Sequence, residues 1–229
     1  MTDAMTEAPS APLTRRRGDM IALVAGLAVL AAGMFVVRDG TVPDWEGNAF
    51  DSVNGLPGWL YPAIWPVQQL GVIVIGPVVA LVAALTRRYH LALAALIATA
   101  GKLLLEDVVK AMVSRQRPGT SIGGQIELRG DVSLRGESFV SGHAVLAAAL
   151  AGVITPYLPG RWKAVPWVLV ALVMLGRVYV GAHNPLDVAC GAAVGVAIAS
   201  GINLLLAVPT DDSSKPDSQS VLDPSPRTA

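Results

Sequence analysis

Long apolar runs separated by short polar segments dominate the pattern of this chain. Three runs contain no Asp, Glu, Lys or Arg, namely Met20–Val37, Val67–Thr86 and Val188–Val208. Three more carry a charged residue or a histidine near one end, namely Tyr89–Met112, His143–Leu158 and Ala164–Ala182. A helix that crosses a bilayer needs about 20 mostly apolar residues. The pattern therefore predicts an all-α membrane protein with six transmembrane helices.

The two ends of the chain and one internal segment differ from these runs. Residues 1–18 are polar and predict a cytoplasmic tail, and residues 209–229 are rich in Pro, Ser and Asp, a composition that predicts disorder. Residues 19–208 then form one membrane domain. Within it, residues 38–66 contain three tryptophans and a tyrosine, which is typical of a loop at the membrane interface.

Basic residues recur at the ends of alternate helices and set the predicted orientation. They precede the first helix and follow the second and the fourth, as Arg15–Arg17, Arg87-Arg88, and Arg161 with Lys163. Because positive residues beside spans are retained inside, both termini are predicted to be cytoplasmic in the plasma membrane, with residues 38–66 and 113–142 outside. A cleaved secretory signal is the alternative for the first helix, but its run of 18 apolar residues exceeds the usual 7–15.

Composition agrees with a membrane location and narrows the classes of function. Apolar residues make up 53% and charged residues 15% of the chain, against roughly 25% charged in soluble domains. The 17 basic and 17 acidic residues cancel, which argues against a nucleic-acid partner. The single cysteine, Cys190, excludes an internal disulfide and a cysteine-based metal cluster.

Charged residues and histidines interrupt the later helices in a regular order. They are Lys110, Arg117, His143, Arg177, His183 and Asp187. Because successive helices alternate in direction, all six are predicted at one level, at the extracytoplasmic ends of helices 3–6. Snorkelling of interfacial side chains to the headgroups would explain any one of them. It does not explain two of only three histidines, so the set predicts an active site.

His183 and Asp187 are the candidate catalytic pair. A spacing of four places them on one helical face if a helix starts by residue 183 or 184, and Asn184-Pro185 is a plausible cap and first-turn pair. An aspartate that accepts from one ring nitrogen leaves the other as a nucleophile or base. A solvent-side His–Asp pair without a catalytic role is the alternative reading.

Ser141, Gly142 and His143 precede a long apolar run and predict an anion site at a helix N-terminus. His143 could protonate a leaving alkoxide there and later activate water. A plain helix cap would give the same three residues. The positive field that a phosphate needs would come from three cations, Lys110, Arg117 and Arg177.

No carboxylate cluster in the sequence is suited to Mg²⁺, so no metal is expected. Lys102 and Glu106 are predicted to form a structural pair within the third helix. Arg129 and Arg135, in the 119–137 loop, are expected to lie in solvent.

Three segments in this order resemble the motifs of the type 2 phosphatidic acid phosphatases, within the phosphatidic acid phosphatase/haloperoxidase superfamily. Lys110, six residues and Arg117-Pro118 resemble the first motif, and Ser141-Gly142-His143 resembles the second, usually Pro-Ser-Gly-His. Arg177, five residues, His183, three residues and Asp187 resemble the third. The resemblance covers about residues 68–205 and fits the six-helix plan of the family.

The resemblance implies a role for each matching residue. His183 would attack phosphorus and form a phosphohistidine, Asp187 would orient it, and His143 would be the acid. The three cations would bind phosphate, with hydrogen bonds from Ser141 and Gly142 and without a metal or other cofactor. Val140 in place of the usual proline, and Gly176 in place of the serine before Arg177, are expected to alter substrate preference or rate.

The sequence therefore predicts an integral membrane lipid phosphatase that hydrolyses a phosphate monoester or diphosphate of a membrane lipid. The resemblance implies three candidate substrates: polyprenyl diphosphate, as in an undecaprenyl diphosphatase, phosphatidic acid and phosphatidylglycerophosphate. Two alternatives stay open, a lipid phosphotransferase with the same intermediate and a non-enzymatic lipid transporter or scaffold. A soluble vanadate-dependent peroxidase, which shares the motifs in related families, is excluded by the six apolar runs.

Overall fold

Helices dominate the computed structural model, which describes residues 13–123, 126–133 and 135–209. The α-helices are α1 (Arg17–Val36), α2 (Asp44–Asn54), α3 (Tyr61–Gln68), α4 (Ile75–Leu85), α5 (Tyr89–Met112), α6 (Pro118–Ser121), α7 (Gly142–Ile154), α8 (Val165–Tyr179) and α9 (Pro185–Leu206). Short 3-10 turns occupy Gly58–Leu60, Gln69–Gly71, Thr155–Tyr157 and Gly160–Ala164. Two-residue strands, β1 (Leu13–Thr14) and β2 (Val208–Pro209), pair antiparallel. The predicted all-α fold is confirmed.

The centre of the fold is α7, which packs against α5, α8 and α9. Ten of its 13 residues are buried. Its sequence, Gly-His-Ala-Val-Leu-Ala-Ala-Ala-Leu-Ala-Gly-Val-Ile, is apolar on every side after the histidine. A helix that is apolar on every side is stable only where neighbouring helices surround it. Because α7 is surrounded, its first residues also lie inside the molecule.

Glycines bring α9 very close to its two main neighbours. Gly195 faces the carbonyl of Val145 on α7 so closely that a Cβ at Gly195 would collide with it. Gly26 of α1 faces the carbonyl of Ala193 on α9 in the same way. Close backbone approach through small residues is a common way to pack membrane helices, and Gly191 and Gly195, four residues apart, form such a packing surface on α9.

Three helical stretches in the described part of the chain are long and apolar enough to cross a membrane: Arg17–Val36, Gly160–Tyr179 and Pro185–Leu206. The stretches Gly58–Gly71 and Ile75–Leu85 form a fourth crossing if they are counted together, although they are bent by 69°. The apolar helix that begins at α7 is shorter than these, and α5 carries four charged residues. Helices thus occur at all six predicted positions, while the count of six crossings stays a prediction.

The second predicted helix, Val67–Thr86, is broken in the structure. The chain leaves α3 through the turn Gln69–Gly71 and becomes extended at Val72 before α4 begins. Gly71 packs on the backbone of His143, where no side chain would fit. Hydropathy does not reveal this break, because the run from Val67 to Thr86 contains no charged residue and is mostly apolar. The break directs the end of α3 toward the start of α7.

The interfacial loop predicted at 38–66 is largely helical, since it contains α2 and most of α3. At the opposite end of the fold, the pairing of β1 with β2 holds the two described ends of the chain together. Most of the predicted tails, residues 1–12 and 210–229, lies outside the described residues.

Candidate active site

Four helix ends bring the predicted site residues together. Lys110 lies in the last turn of α5, Arg177 in the last turn of α8, Ser141 caps α7, and His183 lies just before α9. Arg117 caps the short helix α6. The structure therefore gathers the three separate sequence segments into one site.

His183 is buried, and its Nδ1 lies 3.1 Å from the carbonyl oxygen of Ser138. Because a carbonyl can only accept, Nδ1 carries the proton and Nε2 keeps its lone pair. Burial lowers the pKa of His183, against the raising effect of Asp187, and the nearby guanidinium groups of Arg177 and Arg117 lower it further. The ring is thus neutral at pH 7, the form that can act as a nucleophile.

Asp187 differs from the prediction in how it contacts His183. Its Oδ2 lies 3.9 Å from Nδ1, too far for a hydrogen bond. The helix starts at Pro185, so His183 lies outside it and the expected helical geometry does not apply. Oδ2 instead accepts from the Ser138 hydroxyl at 2.5 Å and from the Asn184 amide at 2.8 Å. Asp187 therefore acts on His183 through Ser138 and through its charge.

The other carboxylate oxygen of Asp187 contacts a residue that the sequence did not indicate. Arg115 Nη1 donates to Asp187 Oδ1 at 2.8 Å, and the same guanidinium binds both carboxylate oxygens of Glu46, with Nη2 to Oε2 at 2.5 Å. All three side chains are fully buried. Arg115 lies two residues before Arg117, but nothing in the sequence connects it with Glu46, which is 69 residues away.

Among the described residues, each of the three predicted phosphate-binding cations has one protein partner. Lys110 Nζ contacts Glu106 at 2.5 Å, Arg117 Nη1 donates to the carbonyl of Ala182 at 3.1 Å, and Arg177 Nη1 donates to Gln68 Oε1 at 2.9 Å. A guanidinium has five N–H groups, so most donors of the two arginines have no partner in the part of the chain that the structure describes. The buried Nε of Arg177 has no partner among the described residues. An anion bound between these groups would satisfy such donors.

Glu106 also pairs with Lys102, at 2.6 Å, which confirms the predicted pair and adds Lys110 to it. Its carboxylate lies against Gly142 at the start of α7, where a Cβ would collide with it. Gly142 therefore permits the close approach of the Glu106 carboxylate, while its predicted contact with a phosphate stays a prediction.

Ser141 contributes differently from the prediction. Its amide donates to the carbonyl of Asp187 at 3.0 Å and is not available to a ligand, because the close packing of α7 and α9 uses it. The buried Oγ of Ser141 has no partner among the described residues and is the group that could contact a phosphate.

The two departures from the motif pattern are both accommodated. Val140 is fully buried in the main apolar core. Gly176 faces α3, and a Cβ there would lie 3.1 Å from Ile64 Cγ2 and 3.4 Å from Gln68 Cβ. The glycine thus lets α3 approach, so that Gln68 reaches Arg177. Nothing in the sequence marks Gln68 as a site residue, because the run from Val67 to Thr86 predicts one continuous helix.

Arg129 does not lie free in solvent as expected. Its guanidinium donates to the carbonyls of Tyr179 at 2.7 Å, Asn54 at 2.8 Å and Leu56 at 2.9 Å, and stacks 4.1 Å from the ring centre of Tyr179. It anchors the loop before α7 to α2 and α8. Arg135 is exposed, as predicted.

A family comparison matches the PAP2 superfamily over residues 89–208, just over half of the chain and all three motifs. The chain belongs to the PAP2 superfamily. It is accordingly an enzyme, a hydrolase of the phosphatase type. A search of curated proteins finds no significant match.

Two solved structures are similar in fold. One is Aquifex aeolicus LpxE, with a TM-score of 0.59 and 24% identity over 69% of this chain and 93% of that one. Another is a transmembrane PAP2-type phosphatidylglycerolphosphate phosphatase from Bacillus subtilis, with a TM-score of 0.61 and 21% identity over 81% of this chain and 94% of that one. The chain therefore spans nearly the whole length of both neighbours.

Proposed function

We propose that this PAP2 protein is an integral membrane lipid phosphatase that acts through a phosphohistidine at His183. One observation carries the proposal: Nδ1 of a buried, neutral His183 is held by the Ser138 carbonyl, beside two arginines. That arrangement leaves Nε2 as a nucleophile facing a positive field. Charge that develops on the phosphoryl oxygens is stabilised by such a field.

The reaction has two balanced steps. Nε2 of His183 attacks phosphorus, the bond from phosphorus to the lipid oxygen breaks, and that oxygen leaves with the electron pair and takes a proton from His143. Water then attacks the phosphohistidine and gives a proton to His143, while the electron pair of the P–N bond returns to Nε2 and phosphate is released. Both proton transfers are assigned to His143 because it is the second residue of α7, next to Gly142 and Ser141.

A lipid substrate is supported by an apolar groove between α4, α7 and α8, which is suited to a hydrocarbon chain. Ala147 and Ala151 of α7 line it together with α8 residues and Leu70. Leu70 precedes Gly71, which packs on His143, so one wall of the groove lies near the start of α7. The candidate lipids are polyprenyl diphosphate, phosphatidic acid and phosphatidylglycerophosphate, the last of which is named for the Bacillus subtilis neighbour.

The test is phosphate release from these three lipids by purified protein with a chelator present. We expect at least one to release inorganic phosphate, and we expect His183→Asn to lose turnover while remaining folded in detergent. Activity of His183→Asn near wild type would contradict the mechanism. Transfer of the phosphoryl group to another acceptor, without free phosphate, would indicate a phosphotransferase instead.

A further inference from the structure

The most heavily buried charged cluster in the described part of the chain contains two residues, Glu46 and Arg115, that have no role in the mechanism above. It consists of Glu46, Arg115 and Asp187, whose side chains have no exposed surface. Arg115 joins the two carboxylates, and Glu46 Oε1 also accepts from the amide of Leu186 at 2.7 Å. Burying charges is unfavourable unless they are paired and hydrogen-bonded, so such a cluster needs a reason to persist.

The cluster is connected to His183 by two routes through Ser138. The side chain of Arg115 binds Asp187, whose Oδ2 accepts from the Ser138 hydroxyl. The main-chain carbonyl of Arg115 accepts from the Ser138 amide at 2.7 Å. Ser138 in turn holds Nδ1 of His183. Movement of Arg115 would therefore move the group that fixes the tautomer of the nucleophile.

The charge of the cluster also suits the reaction. Two carboxylates and one guanidinium leave one net negative charge beside His183. Burial alone would lower the pKa of Arg115, but Glu46 and Asp187 raise it above its ordinary value, so the guanidinium stays charged. When Nε2 bonds to phosphorus while Nδ1 keeps its proton, the imidazole ring becomes cationic. A net negative charge stabilises that cation in a low-dielectric site.

We propose that Glu46 and Arg115 are positioning residues for the nucleophile: they orient Asp187 and Ser138 and set the negative charge that stabilises phosphorylated His183. This inference rests on the proposed function of His183. The competing explanation is a purely structural link between α2 and the start of α9. The two explanations differ in whether Glu46 affects the chemical step.

Glu46→Gln separates them, because it removes one charge and keeps the shape of the side chain. With Glu46 neutral, the charge of Arg115 cancels that of Asp187 and the negative field at His183 weakens. We expect kcat to fall about tenfold to a hundredfold, the range seen when outer partners of active-site ligands are lost. KM should change by less than about threefold, since the phosphate-binding cations are untouched.

The pH profile gives a second readout that does not depend on the amount of folded enzyme. The charged groups that face His183 are Asp187 from α9, Arg177 from α8 and Arg117 beside α6, with His143 from α7 also near. Of these groups, only Asp187 belongs to the charged cluster, and Glu46→Gln changes the net charge of that cluster from minus one to zero. The acid limb of kcat/KM should therefore move to lower pH than in the wild type.

Asp19→Asn is the matched control. Asp19 is another buried carboxylate, hydrogen-bonded to Asn203 at the far end of α9, where it accepts at 3.0 Å. It should lower thermal stability without changing the acid limb or KM. If Glu46→Gln retains the kcat of the wild type, or loses activity only in proportion to its folded fraction with an unmoved acid limb, the proposal is overturned.

Arg115→Lys provides a second variant should Glu46→Gln fail to accumulate in the membrane. It keeps the charge but cannot bridge both carboxylates with a planar fork. We expect a loss of kcat of similar size, and an unchanged kcat would overturn the proposal. Failure of the wild type to release phosphate from any lipid would instead refute the proposed function itself.

Discussion

At the scale of single residues, the site depends on how each ring nitrogen and carboxylate oxygen of the catalytic pair is occupied. The proton on Nδ1 of His183 points to a backbone carbonyl, and both oxygens of Asp187 have partners other than the ring. A backbone carbonyl cannot change its protonation state, so it fixes the tautomer at every pH at which the ring is neutral. Asp187 therefore acts on the His183 ring through its negative charge and not through a direct hydrogen bond.

The depressed pKa of His183 predicts the acid limb of the pH profile. Protonation of Nε2 blocks attack, so activity falls as pH drops through the pKa of the free enzyme. Because burial lowers this pKa, the limb should lie below about pH 6.5, the ordinary value for histidine. Measuring kcat/KM between about pH 4 and pH 8 tests this. An acid limb above pH 6.5 would contradict this, because it would show that Asp187 raises the pKa of His183 by more than burial and the two arginines lower it.

Ser138→Ala isolates the hydroxyl that joins Ser138 to Asp187. The carbonyl that holds His183 is retained, while Asp187 Oδ2 keeps only its bond from the Asn184 amide. We expect kcat to fall about tenfold with little change in KM. Ser133→Ala is the control, because Ser133 is exposed and its hydroxyl donates to the nearby carbonyl of Arg135. Equal activity of the two variants would exclude a role for the Ser138 hydroxyl.

The site residues that could be predicted from the sequence are those that belong to short local motifs. The three motifs contain His143, Arg177 and His183 within short spacings, and their order along alternating helices was enough to predict one site. Glu46 and Gln68 could not be found in this way. Each reaches its arginine across a long sequence separation, 69 and 109 residues, and only the packing of α2 and α3 against the site brings them near.

At the scale of elements, glycine packing of α9 against α7 is the feature that fixes the start of each helix relative to the other. Gly191 faces the backbone of Ser141, and Gly195 faces that of Val145 one turn further on. The Ser141 amide bond to the Asp187 carbonyl depends on this close approach. The spacing of Gly191 and Gly195 in the sequence is typical of a helix-packing surface, although it does not identify the partner helix.

Gly195→Val should therefore destabilise the protein. Its side chain would collide with the Val145 carbonyl and with Ala148, and overpacking of this kind costs roughly 1–3 kcal/mol. Gly201→Ala, on the same helix, is the control, since nothing lies within 4 Å of a Cβ there. It should be neutral or stabilise by roughly 0.5–1 kcal/mol. Thermal unfolding in detergent measures both, and equal stability of the two variants would contradict the packing argument.

The break between α3 and α4 marks the limit of what hydropathy could predict for the elements. Residues 67–86 contain no charged residue and are mostly apolar, so their hydropathy predicts one span. In the structure the chain turns where Gly71 meets His143, a tertiary contact that has no signature in a local window. That turn places Gln68 on Arg177 and opens the apolar groove beside Leu70.

At the scale of the whole molecule, the site and the chain ends lie at opposite ends of α9. His183 precedes its first residue, whereas β2 follows its last turn and pairs with β1. Helix α9 has 22 residues and is therefore about 33 Å long, close to the roughly 30 Å thickness of the hydrocarbon core. In a bilayer, the site and the two described ends would then face opposite sides.

This separation makes the predicted orientation testable with two cysteines. The wild type is a suitable background, because its single cysteine, Cys190, is buried. Asp131 is exposed in the loop between α6 and α7, and Arg161 is exposed in the turn before α8. With arginine-rich segments retained inside, Asp131→Cys should react with a membrane-impermeant maleimide on intact cells, and Arg161→Cys only after permeabilisation. The opposite pattern would place the site in the cytoplasm and reverse the leaflet from which lipid phosphates reach His183.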